Sequence, residues 1–143
     1  MALKGTSSVN FDVKSPASDF FQEFMVKTNF PKEGHAEIEI DTIAGTEKRR
    51  NRYKMSRFHI TKDWYETIKE SLPDDKTWQN LDRFKQLEGT MTVIAKEGGK
   101  GAEGVWTVEY EKTRSELDVP HFIIDTCVKF FKVMDENLLE LSN

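Results

Sequence analysis

The longest regular pattern of apolar residues lies near the C-terminus, in the segment 118–141. Apolar side chains recur there at spacings of three and four residues, the period of one face of an α-helix. They are Ile123, Cys127, Phe130, Met134, Leu138 and Leu141, and Ile124, Val128 and Phe131 widen the stripe. Asp118 suits the capping position of such a helix, and Pro120 suits its first turn. The pattern predicts one long helix whose broad apolar stripe packs on a surface larger than a second helix.

Alternation of apolar and polar residues predicts strands elsewhere in the chain. The regular runs are 9–13, 36–41, 90–95 and 105–112, the last two joined by a glycine-rich hairpin loop. The run 47–60 is less regular. Tyr53 and Met55 share one face, whereas Phe58 and Ile60 share the opposite face. A β-bulge adds one residue to a strand and produces such a change, so we predict a bulged strand there.

A short helix is predicted after the first strand. Ser15 suits its capping position, and Pro16 suits the first helical position because proline lacks the N–H group that is unpaired there. The apolar face of this helix comprises Phe20, Phe21, Phe24 and Met25. The Asn-Phe-Pro run at 29–31 ends the pattern, so the helix is short and aromatic.

The segment 61–72 fits two structures. Trp64, Ile68 and Leu72 recur at every fourth residue, a spacing that satisfies both the strand period of two and the i, i+4 period of a helix. In either case the chain runs from a strand and a short helix through hairpin-linked strands to the long helix. This order, with no βαβ alternation and no internal repeat, predicts an α+β fold with an antiparallel sheet. We expect the sheet to curve around the long helix, an arrangement that often leaves a cavity.

Composition and charge narrow the functional classes. The chain has 143 residues, one domain of ordinary size, and a net charge of −4, which favours neither nucleic acid nor an anionic membrane surface. A single cysteine excludes an internal disulfide and fits a reducing compartment. No apolar run reaches membrane-spanning length, and residues 1–11 lack the apolar core of a secretory signal. We expect a soluble, cytoplasmic monomer or weak dimer with no membrane partner.

The C-terminal third carries a specific signature. Its parts are the strand motif Trp-Thr-x-x-Tyr-Glu-Lys at 106–112, an acidic linker, a proline, and a long helix closing on Asp-x-x-Leu at 135–138. This third resembles the major latex protein group of plants, within the birch-pollen-allergen and START-like superfamily. The start is similar too, with Leu-Lys-Gly at 3–5 before a strand and Ser-Pro at 15–16 opening a helix. In the middle, the family's glycine-rich loop is reduced to Ala-Gly-Thr at 44–46, and its Glu-Gly-Asp box is absent or contracted.

The resemblance implies the helix-grip fold in a single START-like domain at 1–143. That fold is a seven-stranded sheet gripping the C-terminal helix, with two short helices at one end and an apolar cavity between, and it would make 61–72 mostly strand. Resemblance to the major latex protein group implies that the protein is a carrier of a small hydrophobic plant metabolite, in specialised metabolism or the defence response. The alternative that it implies is a cofactor-independent synthase, isomerase or cyclase acting on alkaloid or iridoid intermediates in the same cavity.

Aromatic residues and methionines on the predicted elements are expected to line that cavity. They are Phe20, Phe24, Phe58, Phe84, Met91, Phe122, Phe130 and Met134. Pockets for apolar ligands are lined by the same residue types as ordinary cores. Other large rings, including Trp64, Trp78 and Trp106, add to the aromatic content, so pocket lining and plain core packing both explain it.

No nucleophile motif, phosphate-binding loop or dinucleotide fingerprint occurs in the chain. An enzyme with this sequence would work without a cofactor, by acid–base steps in a dry pocket. The candidates by position are His59, Tyr65, Glu66, Tyr110 and His121, and no catalytic residue is assigned among them. In a strand, alternation would turn Tyr65 and Glu66 to opposite faces, so at most one of them would face inward.

The remaining reactive or charged residues have plain structural explanations. Cys127 lies on the apolar stripe, so we expect a buried core cysteine rather than a reactive thiol. The histidines are isolated in sequence and no zinc-type spacing occurs, so no metal site is expected. The basic run 47–54 could contact phosphate or RNA, with Tyr53 stacking on a base, or an acidic small ligand at the mouth of the cavity. We favour a solvated edge strand, whose charges discourage edge pairing, over a nucleic-acid partner.

Overall fold

The computed structural model describes residues 3–27, 35–42, 49–72, 81–96, 100–117 and 120–141. These residues form five strands and three helices, with a short 3₁₀ turn at Leu81–Arg83. In chain order the elements are β1 (Lys4–Val13), α1 (Ala17–Lys27), β2 (His35–Thr42), β3 (Arg49–His59), α2 (Lys62–Glu70), β4 (Phe84–Ala95), β5 (Ala102–Lys112) and α3 (His121–Leu141). The α+β class predicted from the sequence is confirmed.

The strands join in one antiparallel sheet, in the order β1-β5-β4-β3-β2. Strands β1 and β5, the first and last in the chain, are neighbours, and α3 packs against both, with α1 and α2 beside it. This arrangement is the helix grip that the resemblance implies. The expectation of seven strands is wrong for the residues that the structure describes, because their sheet has five strands and α2 connects β3 to β4.

The ambiguous segment 61–72 is helical, so the expectation that it would be mostly strand is wrong. The Thr61 side chain caps α2 by accepting a hydrogen bond from the backbone N–H of Trp64 at 3.1 Å. Trp64, Tyr65 and Ile68 are its buried residues. Adjacent residues point to opposite faces of a strand, whereas positions i, i+1 and i+4 fall within one apolar stripe of a helix. Burial of the adjacent pair Trp64 and Tyr65 therefore requires the helix.

The change of parity predicted within β3 is a β-bulge. The register of β3 on β4 shifts between Met55 and Phe58, so that Ser56 and Arg57 together oppose Thr90. The extra residue lets both Met55 and Phe58 face the core, where neither is exposed. Arg57 adopts a left-handed backbone with φ of 51°, and its N–H donates to Thr90 Oγ1 at 3.1 Å. The prediction of a bulge at this place is confirmed.

Exchanging Arg57 for glycine is expected to leave a more stable protein than exchanging it for alanine. A left-handed backbone costs a residue with a Cβ about 1 kcal/mol relative to glycine. Both exchanges remove the guanidinium group equally. Urea denaturation of the two variants measures the difference, and Ser56→Gly and Ser56→Ala serve as the control pair, for which alanine should be the more stable. Equal stability of the two Arg57 variants would contradict the left-handed conformation.

The basic strand β3 is not an edge strand, which corrects the interpretation of the run 47–54. It is hydrogen-bonded to β2 on one side and to β4 on the other. The register places acidic residues of β2 opposite basic residues of β3, namely Glu37 opposite Lys54, Glu39 opposite Arg52 and Asp41 opposite Arg50. Opposite charges at such positions favour the pairing of two strands. Residues 43–48, which include the reduced glycine-rich loop, lie outside the described ranges.

Helix α3 buries the stripe predicted for it, except at its C-terminal end. The buried members are Ile123, Ile124, Cys127, Phe130, Phe131 and Met134, and Val128 and Leu138 are partly buried. Leu141 is 84% exposed, so the stripe ends before it. The helix begins at His121, and the carbonyl oxygen of Pro120 accepts a hydrogen bond from Ile123 N at 3.1 Å. Asp118, the predicted capping residue, lies outside the described residues.

A buried carboxylate joins α3 to the end of β1. Asp135 is 5% exposed and accepts hydrogen bonds from the backbone N–H groups of Lys14 at 2.9 Å and Ser15 at 3.0 Å. The Ser15 hydroxyl donates to the carbonyl oxygen of Asp135 at 3.4 Å. Ser15 therefore ties β1 to α3 instead of capping α1, which begins at Ala17 and not at Pro16.

Candidate functional site

Aromatic side chains from the sheet, α1 and α3 meet in one cluster beneath α3. Phe131 lies at its centre. Its ring centroid is 5.3 Å from Trp106, 5.4 Å from Phe11, 5.8 Å from Phe24 and 5.9 Å from Phe130. All of these rings are buried. Because β1 and β5 are neighbours, Phe11 and Trp106 lie near each other on the inner face of the sheet and both reach α3.

Helix α2 adds a further ring to this cluster. Trp64 stacks on Trp106, with ring centroids 5.9 Å apart and planes 19° apart. Phe58 contacts both, at 5.2 Å from Trp64 and 5.8 Å from Trp106. The helix that replaces the expected strand thus brings a second tryptophan against the interior, and the bulge in β3 brings the phenylalanine between them.

Glycines in the sheet make room for two of these rings. A Cβ atom at Gly104 would lie 2.3 Å from the ring of Phe11, and one at Gly89 would lie 2.5 Å from the ring of Trp106. Such distances are far below van der Waals contact, so both positions require glycine while the rings stay in place. Phe11 and Trp106 therefore lie directly against the backbone of a neighbouring strand, which fixes their positions.

The two stacked tryptophans carry unused hydrogen-bond donors. The Nε1 atoms of Trp64 and Trp106 are buried and have no hydrogen-bond partner among the described residues. Buried tryptophans usually place this N–H against an acceptor. A buried donor without a partner costs about 1 to 3 kcal/mol, so these two groups are the most distinctive polar feature of the aromatic interior.

Most of the predicted cavity-lining residues lie in this interior. Phe20, Phe24, Phe58, Met91, Phe130 and Met134 are buried. Phe84 is only partly buried and packs edge-on against Tyr110 at 6.3 Å. The side chain of Phe122 and all of Trp78 lie outside the described residues. The predicted lining omitted Trp64, Trp106 and Phe131, although the inward parity of Trp106 and the place of Phe131 on the α3 stripe were signals in the sequence. The binding role of each residue stays a prediction.

The five catalytic candidates are not brought together. His59 and His121 are exposed. Glu66 is on the outward side of α2, where its carboxylate lies 3.9 Å from Lys62 Nζ, whereas Tyr65 is 1% exposed. The two do point apart, as expected, but on a helix rather than a strand. Tyr110 is partly buried, with its ring close over Gly5. Only the two tyrosines therefore pack against the core, and a catalytic role for any of the five stays a prediction.

Three other features bear on the chemistry of the site. Cys127 is fully buried, as predicted, and burial raises the pKa of its thiol, so the unreactive protonated form is favoured. Among the described residues, no group of three or more His, Cys, Asp or Glu side chains could hold a metal ion. No helix within the described ranges is both long enough and apolar enough to cross a membrane.

A curved antiparallel sheet closed by a long helix over an aromatic interior defines a protein of the helix-grip class, and comparison with known proteins agrees. The model of the Pathogenesis-related protein Bet v 1 family matches residues 2–141. The uncharacterized protein At1g24010 of Arabidopsis thaliana is 40% identical, over 98% of each chain. MLP-like protein 423 of Arabidopsis thaliana is 33% identical, over 98% of this chain and 97% of that protein. The solution structure of Arabidopsis thaliana protein At1g70830, a member of the major latex protein family, covers 96% of both chains with a TM-score of 0.57 at 19% identity.

The chain belongs to the Bet v 1 family, and its resemblance to the plant major latex proteins is confirmed. Proteins of this family bind small hydrophobic ligands. The five-stranded sheet and the placement of α2 are the particular form that this fold takes in the described chain.

Proposed function

We propose that the protein carries a small hydrophobic ligand in the interior beneath α3, and that the ligand bears a hydrogen-bond acceptor. The Trp64–Trp106 stack supports this, because its two buried indole N–H groups have no partner among the described residues. Each unpaired donor costs about 1 to 3 kcal/mol. A carbonyl, ether or hydroxyl oxygen of a bound ligand recovers that free energy.

Apolar contact supplies most of the affinity in this proposal. Phe58 and Phe131 contact the tryptophan rings, Met91 and Met134 are buried in the same core, and these rings and thioethers would contact the ligand. Burial of apolar surface contributes about 25 cal/mol per Å². One or two polar contacts then fix the orientation of the ligand. The ligand class is therefore a mainly hydrocarbon molecule with one or two oxygen atoms, such as a plant terpenoid, sterol or phenolic compound.

Helix α2 is the element that we expect to move when the ligand enters. The rings of Phe58, Trp64 and Trp106 contact one another, so a ligand has to part them. Helix α2 has nine residues and buries three of them, fewer than the other two helices. Its displacement exposes the Trp106 indole without disturbing the contacts of α3 with β1 and β5.

The structure favours a carrier over the alternative of a cofactor-independent synthase, isomerase or cyclase. Acid–base catalysis needs titratable groups within hydrogen-bond reach of the substrate. His59, Glu66 and His121 lie away from the interior, so none of the five candidates places a carboxylate or an imidazole there, and only Tyr65 and Tyr110 among them pack against it. Native mass spectrometry after incubation with a plant extract separates the two functions. A carrier returns its ligand unchanged, whereas an enzyme releases an isomer or a condensation product.

Exchange of Trp106 for phenylalanine is expected to weaken the binding of oxygen-bearing ligands selectively. The first step is to find a ligand by displacing the neutral dye Nile red with a panel of terpenoids, sterols and phenolic compounds. The second step is to compare the affinity of the best binder with that of an analogue in which a methylene group replaces the oxygen. The variant should lose about fivefold or more in affinity for the oxygen-bearing compound, because it lacks the indole donor, but much less for the analogue.

Phe58→Leu is the matched control, because it removes a ring of the same cluster without removing a donor. It should weaken both compounds to the same extent. Failure of the entire panel to displace the dye or to raise the melting temperature would contradict the carrier function. A Trp106→Phe effect that is equal for the two compounds would leave the carrier but refute the indole contact.

A further inference from the structure

A groove of about 440 Å³ lies on the face of the sheet that points away from α3. Its walls are the outward-facing residues of β3, β4 and β5, which alternate with the buried residues of the same strands. Thr92, Ile94 and Val105 form the floor, with Arg52 next to Ile94 and Lys54 next to Thr92 in the register of the sheet. The volume falls in the range of small-molecule sites.

The two cations on the β3 side of the groove are available to a ligand. In the register, Glu37 and Glu39 of β2 lie opposite Lys54 and Arg52, but among the side chains that the structure describes no carboxylate lies within ion-pair distance of either cation. The Nε atom of Arg52 is in addition buried, and it has no hydrogen-bond partner in the part of the chain that the structure describes. A buried charged donor without an acceptor is costly, and an anion bound in the groove would remove that cost.

The third cation of the groove is already paired. Arg57 Nε lies 3.4 Å from a carboxylate oxygen of Glu88, and Arg57 Nη2 lies 3.5 Å from one of Glu109. Arg57 and Glu109 also border a second recess of about 490 Å³, so the Arg57–Glu109 ion pair lies between the groove and this recess. The groove therefore has a positive end at Arg52 and Lys54 and an acidic end at Glu109, and Glu88 lies beside that end as the second partner of Arg57.

The backbone at the groove carries a costly feature. The bulge in β3 turns both Ser56 and Arg57 toward the outer face, where both line the groove. In this position Arg57 has a left-handed backbone, a conformation that is unfavourable for residues other than glycine. Bulges commonly redirect side chains beside functional sites, and backbone strain concentrates at such sites. The groove is thus lined by a local distortion of the sheet and not by a regular polar surface.

We propose that this groove binds a small organic anion, such as a carboxylate, sulfate or phosphate ester with a partly apolar body. The anionic group lies between Arg52 and Lys54, where the guanidinium Nε–H and the ammonium group donate to it. The body of the molecule packs on Ile94 and Val105, and the hydroxyl of Thr92 borders it. This site lies on the opposite face of the sheet from the aromatic interior and does not depend on the carrier function.

A small molecule fits the groove better than a nucleic acid does. A polynucleotide needs a row of cations along its backbone. Here only two unpaired cations, Arg52 and Lys54, line the groove within the described chain, and its other end is acidic. The chain as a whole carries a net charge of −4. Repulsion from Glu88 and Glu109 limits the bound anion to a single charged group at the Arg52 end.

Benzoate and inorganic phosphate are suitable probes, with benzamide as the uncharged counterpart of benzoate. In ¹H–¹⁵N correlation spectra at an ionic strength of about 0.15 M, benzoate should shift the amide signals of β3, β4 and β5 around the groove in a saturable manner, and benzamide should not. Arg52→Gln/Lys54→Gln should weaken benzoate binding by about tenfold or more. Lys27→Gln/Lys62→Gln removes the same charge from exposed helix positions and should leave it unchanged.

Each outcome decides the proposal. Saturable benzoate shifts at the groove that are lost only in Arg52→Gln/Lys54→Gln support it, and parallel phosphate shifts show that the anionic group alone is sufficient. Absence of saturable shifts, equal weakening in the two double variants, or benzamide binding as tight as benzoate overturns it. Binding of a single-stranded oligonucleotide without binding of benzoate or phosphate also overturns it. Displacement of Nile red should be the same in Arg52→Gln/Lys54→Gln and in the natural protein, so failure of this site and failure of the carrier function are distinguishable.

Discussion

Replacement of Phe131 by alanine is expected to lower the free energy of unfolding by about 3 to 5 kcal/mol. Phe131 is fully buried, and its ring contacts Phe11, Phe24 and Trp106. Removing the ring leaves a cavity between α3 and the inner face of the sheet, and we expect Phe11 and Trp106 not to fill it, because both rings already pack directly on the backbone at Gly104 and Gly89. Urea denaturation followed by far-UV circular dichroism measures the loss.

Val133→Ala is the control for the Phe131 variant, because it removes an apolar group from the exposed side of the same helix. It should change the free energy of unfolding by less than about 0.5 kcal/mol. A Phe131→Ala variant whose loss is also below about 1 kcal/mol would mean that the aromatic cluster rearranges freely. That result would contradict the fixed ring positions described above.

Replacement of Asp135 by alanine is expected to cost about 2 to 4 kcal/mol of stability. The exchange removes the acceptor of two hydrogen bonds, so the backbone N–H of Ser15 loses its partner at a buried position and that of Lys14 at a partly buried one. Asp135→Asn should cost less, because the amide keeps one acceptor oxygen. Thermal and urea denaturation of both variants give the order of stability.

Glu136→Ala tests whether the loss belongs to the hydrogen bonds or to the helix. Glu136 is the next residue of α3 and is exposed, so its exchange removes the same type of charge without breaking these contacts. A loss as large as that of Asp135→Ala would assign the effect to the charge near the end of the helix. Hydrogen exchange at the amides of Lys14 and Ser15 should accelerate only in the Asp135 variants.

Features that depend on local periodicity could be predicted from the sequence. The stripe of α3 follows directly from apolar spacing, since one helix face is buried along most of its length. The bulge in β3 was likewise visible, because an inserted residue must reverse the parity of Phe58 relative to Met55. Burial of Cys127 followed from its place on the stripe. In each case the side chains that face the core must be apolar, so their spacing in the sequence shows which face of the element is buried.

The form of α2 was missed because its spacing of four residues is shared by strands and helices. The decisive signal was the adjacent apolar pair Trp64 and Tyr65, together with Thr61 in a capping position. The family resemblance favoured a strand here, because it implies a seven-stranded sheet. It takes no account of the sequence features by which this chain departs from the family in its middle segment. Local chemistry was the better guide at this segment than the resemblance.

The candidate sites depend on contacts between distant segments, which the sequence does not specify. Nothing near Asp135 indicates that Lys14 and Ser15 are its partners. The strand parity of Arg52 could be predicted, but its lack of an ion-pair partner in the described chain could not, because that depends on the sheet order. The catalytic candidates were titratable residues chosen by their positions in the sequence, and the fold separates them. Periodicity thus indicates which face a residue occupies but not which residues meet there.

The order of strands also governs how the chain can fold as it is synthesised. Val13 at the end of β1 pairs with Ala102 at the start of β5, so the first strand waits for most of the chain before it finds a partner. Until then its apolar face and its backbone donors remain unpaired on the ribosome. Non-local pairing of this kind is slow and exposes the nascent chain to aggregation. We therefore expect the sheet to close only after β5 leaves the exit tunnel, in one late step that also allows α3 to dock.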